Sequence, residues 1–161
     1  MNLGMITIYG VHRSRASRNI WLAHELGIPF KLVPVMQRYR LKEPIPADIV
    51  HTRSPSFLKV NPNGHVPTLE DDGLVLHESL AINLYLAKKH GGPLAPANVA
   101  EDGLMGMWSL WAATEVEPHS LSIAQNGPTA AAIDALRAPF AVLQEALGNG
   151  YLVGDRFTVA D

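Results

Sequence analysis

Apolar and polar positions follow a period of two at the start of the chain and a helical period soon after. Met5-Ile6-Thr7-Ile8-Tyr9 is rich in β-branched and aromatic residues and runs into Gly10, which is the pattern of a strand. The next stretch, VHRSRASRNIWLAHELG, predicts a helix. Ser14 or Ser17 is placed to cap it, apolar residues recur at Ala16, Ile20 and Ala23, and Gly27 ends it. Ile28-Pro29 breaks the chain, and Phe30-Lys31-Leu32-Val33 alternates as a second strand. Two strands joined through a helix should be parallel, with a right-handed crossover.

Residues 36–53 are polar and marked by Pro44 and Pro46, which predicts a mobile surface loop with room for one helical turn. Ser56 to Val60 reads as a short helix or turn, stopped by Asn61-Pro62-Asn63-Gly64. Val66 to Leu69 reads as a third strand, Asp71-Asp72-Gly73 as a hairpin turn, and Leu74 to His77 as a fourth strand. Ser79 to His90 predicts a helix whose last turn carries Lys88, Lys89 and His90, where positive charge suits the dipole. GGPLAPAN, residues 91–98, holds two glycines and two prolines and reads as a linker. Beyond it the pattern is helical throughout. Residues 100–117 place Leu104, Trp108, Trp111 and Ala112 on one face before Pro118. Residues 129–147 carry a stripe of Ile133, Leu136, Phe140, Leu143 and Leu147. Pro139 lies inside that stripe and predicts a kink or a division into two segments, since a mid-helix proline costs about 3 kcal/mol. The expected organisation is a small α/β domain over residues 1–90, a linker over 91–98 and an all-helical domain over 99–161.

Composition narrows the functional classes. The chain has 161 residues, is nearly half apolar and carries a formal charge of −2. Without a general basic excess, nucleic acid is not an expected partner. No apolar run approaches the roughly 20 residues that span a bilayer, so no membrane association is expected. The N-terminus lacks the pattern of a secretory signal, and a cytoplasmic setting is the default. There are no cysteines, which excludes disulfides, thiolate metal sites and cysteine nucleophiles. The seven histidines include no i, i+4 pair, and no metal site is expected.

Four segments, in order, resemble the cytosolic glutathione transferases, and the likeness covers essentially the whole chain. ITIYG…SRASRNIWLAHELGIPF is similar to the family's first β-α-β. FLKVNPNGHVPTL looks like its cis-proline segment, and LHESLAINLYLAKK like its γ-glutamyl motif and third helix. YLVGDRFTVAD looks like its late capping-box motif. The resemblance implies a thioredoxin-like α/β domain followed by an all-α domain, with glutathione as co-substrate, no metal and a homodimer. It also implies a cis bond between Val66 and Pro67, with the Val66 main chain gripping the peptide-like ligand as an added strand would. Glu78 and Ser79, at a helix start, would hold the γ-glutamyl end. His65, where relatives often carry lysine, and His51 in the preceding loop would meet the glycyl carboxylate. T-x-x-D at Thr158–Asp161 should start a helix that is buried in the family's second domain. On that comparison the helical domain is expected to be incomplete at its C-terminus.

The implied chemistry is attack by glutathione thiolate on a small hydrophobic electrophile. A free thiol has a pKa of about 8.5, and lowering it by two units takes about 2.7 kcal/mol. One hydroxyl donor supplies about 1.5–3 kcal/mol and a helix N-terminus about 0.3–1. Tyr9, Ser14 and Ser17 lie near the end of strand one and the start of the helix. Tyr9 is expected to pack. Ser14 matches the serine of the bacterial, theta-like branch and is the expected thiol donor, with Arg15 and Ser17 as neighbours able to share the role. The same serine also suits a plain helix cap. Val11, His12, Trp108, Trp111 and Glu115 are candidates for the electrophile's surroundings. Two further readings keep the scaffold. One is a non-catalytic binding module, and the other an isomerase or dehalogenase that uses glutathione.

Overall fold

The computed structural model describes residues 4–161. The chain divides into two compact units between Lys89 and His90.

The first unit is built on a four-stranded sheet. Strand β1 (Ile6–Tyr9) leads into helix α1 (Ala16–Glu25) and then strand β2 (Phe30–Val33). A 3-10 turn (Arg38–Arg40) and helix α2 (Pro55–Leu58) follow, then strands β3 (Thr68–Asp71) and β4 (Leu74–His77) and helix α3 (Ser79–His90). The strand order is β2-β1-β3-β4. β1 and β2 are parallel, with Ile8 opposite Leu32, as a helical crossover requires. β3 runs antiparallel to both β1 and β4. Alternation along β1 buries Ile6 and Ile8 while Thr7 and Tyr9 stay half-covered. Those two isoleucines share a core with Ala16, Ile20 and Ala23 of α1, Leu69 of β3, and Ile82 and Leu86 of α3. Each large side chain buried there stabilises the unit by about 1.5–3 kcal/mol. This is the thioredoxin-like order expected from the sequence.

Both boundaries of β3 differ from the reading of the sequence. β3 begins at Thr68 rather than Val66, because the ladder starts where Thr68 pairs with Tyr9. Pro67 has no N–H to offer a ladder and sits just ahead of the strand. The strand also extends through Asp71, which pairs with Leu74. The turn is therefore the two residues Asp72 (φ 48°) and Gly73 (φ 86°), both left-handed as a two-residue hairpin loop demands. Residues 36–53 are held by a parallel bridge between Met36 and His51 and by a bond from Arg40 to the Arg13 carbonyl.

The second unit is helical. Helix α4 (Val99–Trp111) is capped by Asn98, whose side chain accepts from the Glu101 N–H at 3.0 Å. The helical path does not end before Pro118: a π-helical turn (Ala112–Val116) carries the chain into α5 (Glu117–Asn126), with Pro118 in its first turn. Helix α6 (Ala130–Ala146) runs unbroken through Pro139, so the expected division into two segments does not occur. Its stripe is only partly covered, with Leu136 buried but Ile133 and Phe140 exposed.

Arg156 organises the start of this unit. Its guanidinium donates to the carbonyls of Pro93 and Ala95 and to both carboxylate oxygens of Glu101, the shortest contact being 2.6 Å. Glu101 also accepts from the Ala97 N–H at 2.8 Å. These bonds, led by the one from Arg156, pull the Glu101 carboxyl down to about 2. At Thr158 one half of the capping box is in place: the Asp161 carboxylate accepts from the Thr158 N–H at 2.8 Å, while Thr158 Oγ1 accepts from the Ala160 N–H at 3.2 Å rather than from the Asp161 N–H.

Candidate glutathione site

The turn from β1 into α1 is shaped by Gly10. Its φ is +150°, and a methyl group placed on it would lie 2.6 Å from Ala16 Cβ. The same methyl would lie 3.6 Å from both Ser14 Oγ and Val66 Cβ. Gly10 therefore marks the point where the Ser14 hydroxyl and the segment ahead of β3 converge. Ser14 donates its hydroxyl proton to the Val11 carbonyl at 2.7 Å and accepts from the Ala16 N–H at 3.1 Å. Both bonds fold the loop onto the helix start. Ser17 is exposed in the first turn of α1, and Arg15, also exposed, precedes the helix.

Tyr9 is otherwise engaged. Its hydroxyl donates to Glu70 at 2.7 Å, and burial together with that carboxylate pushes its pKa up to about 12. A phenol whose hydrogen bond is already directed to a carboxylate has no donor left for a thiolate.

The Val66–Pro67 peptide bond is cis. Pro67 is buried and Val66 half-buried, outside the ladder that begins at Thr68. Asn61, fully buried, builds the segment from within. Its amide donates to the His65 carbonyl at 3.0 Å and to Thr68 Oγ1 at 2.9 Å, and its oxygen accepts from the Asn63 N–H at 3.0 Å. Gly64 (φ 61°) must be glycine, since a Cβ there would come within 2.5 Å of the Thr52 carbonyl. The His65 side chain is exposed. His51 is half-buried, and its Nδ1 accepts from the Arg53 N–H at 3.1 Å, which leaves the proton on Nε2 when the ring is neutral.

At the start of α3, Glu78 holds the left-handed conformation (φ 73°), uncommon for a non-glycine residue, and is exposed. Ser79 is buried. Its Oγ accepts from Arg18 at 3.0 Å, and its carbonyl accepts from the Asn19 amide at 2.8 Å. Asn19 also donates to Asn83 at 2.6 Å. Arg18 and Asn19 on α1 thus fix the N-terminus of α3, a role that reading the sequence did not assign. The available signal was a polar Asn19 among the apolar positions Ala16, Ile20 and Ala23, where an unpaired amide would be costly.

The remaining sequence candidates separate by unit. Val11 (half-buried) and His12 (exposed) belong to the β1–α1 turn of the first unit. Trp108 and Trp111 lie in α4 of the second, their rings edge-to-face at 5.2 Å, and exposed Glu115 lies in the π-helical turn. Among the described residues, no three His, Asp or Glu side chains are grouped as metal ligands.

Residues 8–94 match the family model described as "Glutathione S-transferase, N-terminal domain". The chain is 33% identical to glutathione S-transferase F13 of Arabidopsis thaliana, over 96% of this chain and 74% of that protein. It is 35% identical to elongation factor 1-gamma 2 of Oryza sativa, over 70% of this chain but only 29% of that one. The solved structure of Ure2p in complex with glutathione superposes with a TM-score of 0.76 at 26% identity, over 99% of this chain and 81% of that one. The family model covers the first unit from residue 8 onward, and the similarity to F13 covers 96% of the chain, the helices of the second unit included. The chain is a member of the glutathione S-transferase family.

Proposed function

We propose that the chain is a serine-using glutathione transferase of the theta-like type, acting on a small hydrophobic electrophile. The observation that carries this reading is the convergence at Gly10 of the Ser14 hydroxyl and the Val66 segment. A tripeptide laid against Val66 as an added strand would present its central cysteine toward Ser14. Rotation about the Ser14 side chain then exchanges the bond to the Val11 carbonyl for one to the sulfur. Ser79, at the N-terminus of α3, and Glu78 receive the γ-glutamyl carboxylate and ammonium. His51 and His65 serve the glycyl carboxylate. With the thiolate held, its sulfur forms the new C–S bond, a halide leaves with the bonding electrons, and the thiol proton passes to solvent. Val11 and His12 are assigned to the electrophile's surroundings on the first unit. Trp108, Trp111 and Glu115 are assigned to it on the family resemblance alone. Residues 1–90 act as the glutathione-binding domain, 91–98 as linker and 99–161 as the helical domain, in a cytoplasmic homodimer.

Turnover of chlorodinitrobenzene with glutathione tests the assignment. Ser14→Ala is expected to lose most of it while still binding glutathione by calorimetry. Unchanged turnover in that variant removes Ser14 from the chemistry.

A second reading has its own support. One relative is named elongation factor 1-gamma 2, and the Ser14 hydroxyl is already satisfied within its own loop. A chain that binds glutathione but turns over no electrophile would be a binding module on this scaffold.

A further inference from the structure

Residues 10–24 carry His12, Arg13, Arg15, Arg18 and His24, with no acidic residue among them. The 3-10 turn brings more positive charge to the same place. Arg40 Nη1 donates to the Arg13 carbonyl at 2.5 Å, so a guanidinium is fastened to the residue directly before Ser14. The rest of the Arg40 head lies over the exposed Tyr39 ring, 5.7 Å from its centroid. Of the neighbouring cations, Arg38 pairs with Glu43 and Arg18 donates to Ser79. The Arg13 side chain is exposed. Glutathione's own carboxylates are assigned to Ser79 at one end and to His51 and His65 at the other. Arg13 directly precedes Ser14 in the chain, and Arg40 is bonded to the Arg13 carbonyl.

We propose that Arg13 and Arg40 select electrophiles bearing a carboxylate or another negative group. The inference rests on the transferase reading, with Ser14 at the sulfur. A guanidinium fork suits a planar carboxylate, and fixed positive charge at the mouth of a site raises the local concentration of anions. The bond-making step is unchanged: sulfur attacks the ring carbon, chloride leaves, and the added carboxylate takes no part.

The test compares chlorodinitrobenzoate with its methyl ester, which differ in charge at the same reacting carbon. Arg13→Ala and Arg40→Ala should each lower kcat/KM for the benzoate by about fivefold, the size of an exposed charge pair, and leave the ester unchanged. Added salt should lower the benzoate rate selectively. Affinities for the two pre-formed conjugates with glutathione, measured by calorimetry, should show the same preference and do not depend on turnover. Equal losses for both electrophiles, with the alkaline pH limb displaced upward, would place the arginines on the thiolate and overturn the proposal. A rise confined to the KM for glutathione would place them on its carboxylate and overturn it as well. Conjugates that bind alike in all three proteins overturn it too. Absence of turnover with either electrophile strikes at the transferase reading itself, while the conjugate affinities still decide the charge preference.

Discussion

Ser14 gives its proton to the Val11 carbonyl, and that bond must be exchanged for one to sulfur if the hydroxyl is to hold a thiolate. Replacing a neutral acceptor by an anion strengthens the hydrogen bond, which is worth about 1.5–3 kcal/mol to a charged group. Ser14→Ala is therefore expected to lower kcat/KM with chlorodinitrobenzene by roughly ten- to a hundredfold, and to raise the pKa in the pH–rate profile toward that of free thiol, about 8.5. Glu78 offers a different test, because its left-handed backbone favours glycine. Glu78→Gly should gain up to about 1 kcal/mol of stability by urea denaturation, while calorimetry shows weaker glutathione binding. A stabilised variant that binds as tightly as before would mean that the strained glutamate is not a ligand.

Among the elements, the turn from β1 to α1 depends on Gly10. A methyl group on Gly10 meets Ala16 Cβ at 2.6 Å, and Gly10→Ala is expected to cost about 1–3 kcal/mol in thermal unfolding. Because Ser14 and Val66 adjoin the same atom, glutathione binding should fall with it. Asn19→Ala removes the amide that donates to both the Ser79 carbonyl and Asn83, and is expected to cost about 1–3 kcal/mol by urea denaturation. The elements themselves were legible in the sequence wherever periodicity met a clear stop. β2, β4 and α3 lie where their patterns place them, and β1 and α1 nearly so. α5 was missed because EPHSLSIAQN has little apolar pattern and opens with a proline, which reads equally as a stop or as a first turn. Ser14, Glu78 and Ser79 could be nominated from motif spacing. Arg18 and Arg40 could not, because each acts on a residue far away in sequence and only the fold brings the pairs together; Asn19 stood out as a polar residue on an apolar face, but its partners did not.

For the molecule as a whole, two groups set expectations for stability against pH. Glu101 has its folded pKa lowered to about 2 from 4.5, mainly by the bond from Arg156. A depressed carboxylate contributes stability that is present above its unfolded pKa and is lost as pH falls through the folded one. The urea midpoint should therefore drop between about pH 4.5 and 2, less so in Glu101→Gln. Tyr9 is raised to about 12 from 10, chiefly by burial. Its contribution is complete below the unfolded value and is lost as pH climbs from 10 to 12, so Tyr9→Phe should flatten the alkaline limb of the same profile. The Arg156 side chain that governs the acid limb also holds the carbonyls of Pro93 and Ala95, more than sixty positions earlier in the chain. During synthesis those carbonyls leave the ribosome long before their donor. The segment ahead of α4 must wait, unfastened, until Arg156 emerges to lock it.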